Sequence, residues 1–92
     1  MKIHLVGFWE SRKVYLNGEE LLPYESQKIR NHSPDGFNWG YGGSGPAQLA
    51  LAILLKLYSR EVALIHYQYF KRTAIATLPQ NDFDRELDMI YT

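Results

Sequence analysis

Residues 32–54 read HSPDGFNWGYGGSGPAQLALAIL, and the way this stretch is read decides the fold. Its first half holds glycine and aromatic side chains; its second half is apolar. Pro46 suits the first position of a helix, where its fixed φ is already correct and its missing N–H has no partner to lose. Gly45 is then the cap, and Gln48, three residues on, is placed to reach back towards the cap N–H. From Ala47 to Tyr58 the strongly polar residues are Gln48 and Lys56, eight apart, so one narrow stripe is polar and the rest of the circumference is apolar. This segment is read as the core helix of the protein, with Leu49, Ile53 and Leu57 buried.

Upstream, the period is two. In KIHLVGFW, Ile3, Leu5 and Trp9 fall on one face and His4, Val6 and Phe8 on the other. KVYL, Asn17-Gly18 and EELL form a hairpin signal, because Asn-Gly accepts the positive φ angles of a type I′ turn. Pro23 closes that arm, and a short strand is expected around Lys28-Ile29-Arg30. Downstream, Ser59 is a cap for a second helix through REVALIHYQYFKRTAIATL, ending near Pro79, with Ala63, Tyr67, Phe70, Ala74 and Leu78 inward. Asp84 is expected to cap a short helix at the C-terminus. The fold class is therefore α+β: a small antiparallel N-terminal sheet packed on a buried central helix, with a second helix and a short C-terminal helix. One domain spans 1–92, divided into a β-meander (1–31), a glycine and aromatic connector (32–45) and a helical part (46–92).

Composition narrows the function. Ten basic residues balance ten acidic ones, so the net field that draws non-specific binders to nucleic acid is missing. Lys56, Arg60, Lys71 and Arg72 make the middle positive, and Asp82, Asp84, Glu86 and Asp88 make the tail negative. The absence of cysteine removes disulfide frameworks, thiolate zinc sites and cysteine nucleophiles together. The N-terminal apolar stretch is too short for a signal peptide and the run from Leu49 to Leu55 is too short to span a bilayer, which points to a cytoplasmic protein with no membrane partner.

Gly40-Tyr41-Gly42-Gly43-Ser44-Gly45 matches the dinucleotide fingerprint G-x-G-x-x-G and runs into a helix. The match lacks its context: a helix follows a helix, with no second parallel strand and no acidic residue at its end, and there is no Gly-Lys-Ser/Thr ending for a triphosphate. Two readings stay open. In one, the glycines are a hinge between sheet and helix, covered by Trp39 and Tyr41. In the other, the segment is a site for an anionic small molecule or nucleotide. The N–H groups of Ser44, Gly45 and Ala47 then hold a phosphate at the helix start, beside Gly42, Gly43 and Gln48. Trp39 or Tyr41 stacks on an attached base, and Lys71 or Arg72 approaches from the second helix.

No other constellation competes. His32, Ser33 and Asp35 sit in HSPDG, which reads as a turn centred on Pro34 and Asp35. His4, His32 and His66 have no helical i, i+4 partner, so neither a metal nor a catalytic residue is expected, and no cofactor.

NHSPDGFNWGYGGSGPAQLALAIL, with VYLNGEEL before it and YQYFKRTAIATLP after it, resembles a small family of uncharacterised proteins of bacteria, archaea and their viruses and plasmids, domain of unknown function 6166. The resemblance implies a short stand-alone protein, often carried by mobile elements, and supplies no catalytic residues. Asn38 stands where the family commonly has an acidic residue. A viral or plasmid-borne protein of this size suggests a binding module or an inhibitor of a host protein, for example in host defence, and its thirteen aromatic residues suggest a homodimer burying part of the Tyr67–Phe70 helix or a sheet edge.

Overall fold

The computed structural model describes residues 1–91. Its sheet is built first by β1 (Lys2–Phe8), whose residues alternate between a buried set, Ile3, Leu5 and Gly7, and an outward set, Lys2, His4 and Phe8. β2 (Lys13–Leu16) and β3 (Glu19–Leu21) follow as an antiparallel hairpin. Asn17 and Gly18 turn it with φ of 51° and 85°, the left-handed pair that a type I′ turn requires. Leu5 lies opposite Leu16 and Gly7 opposite Val14, so the buried faces of β1 and β2 coincide.

The next segment departs from the sequence reading. Residues 24–29 are not a strand but a short helix, α1 (Tyr24–Ile29), and Pro23 opens it from the N-cap position with αR backbone angles. The meander thus ends at Leu21. The connector follows, with Gly36 accepting a φ of 107° and its N–H bonded to Ser33 O, the turn read from HSPDG.

α2 (Ser44–Leu57) is the buried central helix. It starts two residues before the proline, with Gly43 rather than Gly45 at the cap. Leu49, Ala50, Leu51, Ile53 and Leu54 are fully buried, Leu57 partly so, in one cluster with Ile3, Leu5, Val14, Leu16 and Leu21 of the sheet. The structure is an α+β domain with its core between the sheet and the helices.

α3 (Arg60–Phe70) begins at Ser59, whose side chain accepts the Val62 N–H, and buries Ala63, Tyr67 and Phe70. It does not run on as an α-helix to Pro79. At Lys71–Ile75 it widens into a π-helical turn, closed by Ala76 N–H on Lys71 O at 2.8 Å. The turn seats Ile75 in the core, and Ile75 O accepts the Gly40 N–H at 3.0 Å. Wide turns of this kind release backbone groups from the helical ladder; here one of them holds the connector.

The C-terminal segment is a strand, not the helix capped by Asp84. β4 (Phe83–Asp88) pairs antiparallel with β1, giving the order β3-β2-β1-β4. Leu87 lies opposite Ile3 and Phe83 opposite Gly7. On the outer face, Asp84 meets His4 at 2.6 Å, Glu86 meets Lys2 at 3.3 Å and Asp88 meets the N-terminal ammonium at 3.4 Å. The acidic tail is therefore one side of a cross-strand polar ladder on an exposed face, a hydrogen bond to His4 and two ion pairs, where each exposed ion pair contributes about 0–1 kcal/mol.

Candidate functional site

The glycine connector was the expected site, and its polar groups are mostly engaged inside the protein. Gly40 has a φ of 84°, and a Cβ there would lie 2.6 Å from Gln80 Cγ and 3.0 Å from Leu78 O. Gly45 is pressed on the connector itself, since a Cβ would lie 2.6 Å from that of Asn38. Asn38 Oδ1 accepts the Trp39 N–H at 2.9 Å and Arg12 Nε–H at 3.2 Å. An acceptor is what Asn38 supplies at this position.

Three residues expected at a ligand lie elsewhere. Trp39 is fully buried, its indole N–H donates to Asn81 O at 3.0 Å, and its ring meets Phe83 and Trp9 edge-on, so no face is free for a base. The Ala47 N–H is spent on Gly43 O at 3.1 Å, the first bond of the helix ladder. Gln48 does not reach back to the cap. Its buried amide accepts the His32 and Ser33 N–H groups at 2.8 and 3.1 Å and donates to Ser26 Oγ and Arg30 O at 2.8 and 3.0 Å. It joins α1, α2 and the connector in one fully satisfied network.

Tyr41, Gly42 and Ser44 are exposed and Gly43 is half-buried, with the Tyr41 ring lying where a Gly43 side chain would project. Lys71 does approach from the second helix, and its ammonium donates to Gly42 O at 3.4 Å. His32 Nε2 lies 2.9 Å from the Tyr67 hydroxyl, so the HSPDG residues form no triad. Among the described residues no group of three or more His, Asp or Glu side chains is arranged to hold a metal ion.

A different feature emerges on the far side of α2. Two adjoining cavities of about 280 and 290 Å³ share Leu21 and Lys56. The first is lined by Leu22, Ile29, Ala52 and Leu55 with Glu25; the second by Leu16 and Leu57 with Glu19 and Glu20. Sequence reading misses this groove because it expects a short strand around Lys28-Ile29-Arg30, where the wall formed by α1 ends. The signal available was Leu21-Leu22 ahead of Pro23: two adjacent leucines cannot both face the core of a strand. Leu21 is buried and Leu22 is exposed. None of Glu19, Glu20, Glu25 and Lys56 is in an ion pair among the described residues.

Beyond the C-terminal end of α2, Tyr91 packs against Tyr58, His66 and Phe70, with ring centroids at 6.2, 5.0 and 5.9 Å. Burial pushes its phenol pKa above the ordinary 10.0, against a hydrogen bond to Thr73 that lowers it.

The fold and these features define a small α+β domain whose polar interior is satisfied and whose open features are surface grooves and apolar patches. The chain belongs to a family of unknown function, DUF6166, whose model matches residues 7–90. No curated protein and no solved structure matches it. No helix among the described residues is long and apolar enough to cross a membrane.

Proposed function

We propose that this is a non-catalytic protein-interaction domain that holds an apolar, basic polypeptide segment in the groove between β3, α1 and α2. The observation that carries the reading is the pair of adjoining leucine-lined cavities rimmed by Glu19, Glu20 and Glu25, three carboxylates without intrachain ion pairs among the described residues against the single cation Lys56. β3 is an edge of the sheet, so no neighbouring strand covers that side. Each leucine-sized side chain inserted is worth roughly 1.5–3 kcal/mol, and about 8 kcal/mol corresponds to micromolar affinity. Two or three such side chains supply about 3–9 kcal/mol before the cost of association is subtracted, so the complex is a weak, transient one. Action on a host protein by a virus- or plasmid-borne protein fits this mode, which needs no catalytic group.

The test is selection of a random peptide library on the immobilised protein. Enriched sequences should combine Leu or Ile with Lys or Arg, and their binding should be lost on Leu22→Asp and weakened about tenfold on Glu25→Lys, both at exposed positions. Enriched peptides indifferent to both substitutions would refute the groove.

A second reading keeps the anionic ligand, on the observation that Lys71 reaches Gly42 beside the exposed Tyr41 and Ser44. Its contact set is smaller than the sequence suggested: Tyr41, Gly42, Gly43, Ser44, Gly45 and Lys71, without Trp39, Ala47 or Gln48. A thermal-shift panel of mono-, di- and cyclic nucleotides decides it. A shift abolished by Lys71→Ala supports the pocket; no shift from any nucleotide leaves the connector as a hinge.

A further inference from the structure

The outward face of α3 carries an ordered stripe that the groove does not use. Glu61, Ile65, Tyr69 and Arg72 lie on successive turns, all exposed, opposite the buried Ala63, Tyr67 and Phe70. Ile65 and Tyr69 are 72% and 52% exposed, and Ile90 beside them is 75% exposed, lining with Tyr69 a cavity of about 250 Å³ against β4. The π-helical turn begins at Lys71, yet Arg72 stays on this face, its guanidinium carbon 5.8 Å from the Tyr69 ring centroid. Neither Glu61 nor Arg72 is in an ion pair among the described residues.

We infer that α3 is the contact surface for a second copy of this chain, packed antiparallel about a two-fold axis between Ile65 and Tyr69. Read in one direction the stripe runs acid, aliphatic, aromatic, base; an antiparallel copy presents the reverse. Glu61 then faces Arg72 of the partner subunit at both ends, and Ile65 meets the aromatic ring at the centre. A parallel copy would set like charges opposite each other, so the charges fix the orientation as well as the partner. Two-fold symmetry makes every such contact occur twice. The β4 edge of the sheet is a poorer choice: a two-fold there keeps the outer faces together and brings the acidic row Asp84, Glu86 and Asp88 against itself.

The stripe is about 16 Å long at 1.5 Å per residue and one side chain wide, so it covers far less than the roughly 2,000 Å² or more of a permanent interface. The dimer is therefore a concentration-dependent one, and salt weakens it because two exposed ion pairs close it.

Sedimentation velocity from about 10 µM to about 1 mM covers the affinity such an interface supports. The mass should rise towards twice that of the chain across this range, and Ile65→Asp should hold it at the monomer. Glu61→Arg alone and Arg72→Glu alone should each weaken association about tenfold, since each makes both symmetric contacts repulsive. The double variant Glu61→Arg/Arg72→Glu should restore it. Circular dichroism melts confirm that each variant is folded. A wild type monomeric throughout, an Ile65→Asp variant that still dimerises, or a double variant as weak as the singles would overturn the inference; in the first case the patch serves a different protein.

Discussion

Replacing Gln48 by Leu tests the claim that this residue is a structural tie and not part of a ligand site. The leucine fits the apolar surroundings and removes four hydrogen bonds at once: two accepted from His32 and Ser33, two donated to Ser26 and Arg30. At about 1 kcal/mol net for each bond, the loss is about 4 kcal/mol. Burial of the extra apolar surface returns on the order of 1 kcal/mol, leaving a cost of about 3 kcal/mol. A domain of this size has roughly 5–10 kcal/mol in total, so the variant folds but melts about 12–24 °C lower. Urea unfolding followed by tryptophan fluorescence reports the loss directly, since Trp39 is fully buried. The midpoint should fall with the slope unchanged. Amide exchange at His32 and Ser33 should accelerate beyond the global change, because their N–H groups lose their acceptor. A loss under about 1 kcal/mol, with unaltered exchange at those amides, would show that water replaces the side chain and that Gln48 ties nothing.

Gly40→Ala should cost about 1–3 kcal/mol in chemical denaturation, from its positive φ and the backbone behind it, whereas Gly42→Ala, with nothing within 4 Å and no positive φ, should gain about 0.4–1 kcal/mol. Ile53→Asp should abolish cooperative melting, because a charge without a partner at a fully buried position costs several kcal/mol. The raised phenol pKa of Tyr91 predicts stability that is intact below pH 10 and declines above it, since the unfolded chain releases this proton first; Tyr91→Phe should flatten that decline in a pH series of melts.

The central helix, the start of the second helix and the first hairpin are legible because each rests on a short-range rule: an apolar circumference, a Ser cap and an Asn-Gly turn respectively. The C-terminal strand was misread although its pattern was visible. Phe83, Arg85, Leu87 and Met89 alternate with Asp84, Glu86 and Asp88 at a strict period of two, but Asp, Arg, Glu and Leu also make a creditable capped helix. Pairing with β1 settles the choice, and no local window contains β1. α1 is too short for periodicity to register, and Pro23 serves equally as an ending or an opening. Of the two cations expected to approach from the second helix, Lys71 lies beside Gly42 and Arg72 beside Tyr69. Sequence reading puts Gln48 on a narrow polar stripe with Lys56 because residues eight apart share one face of a helix, and that spacing does not say what covers the face. Only packing on α1 turns that amide inward.

The pairing of the first strand with the last has a consequence for how the chain acquires its structure. β1 sits inside the sheet, between β2 and β4, yet its contacts with β4 join residues such as His4 and Asp84, eighty positions apart. The hairpins on one side of β1 form from neighbours; the other side waits for a loop of almost the whole domain to close, an entropic cost that is met only once the helices have collapsed around Ile53. Until then β1 is itself an edge, and the backbone groups that later pair with β4 have no partner strand. That arrangement predicts slow refolding and transient association of partly folded chains at high concentration, and both should ease if a short linker ties β4 to β1 directly.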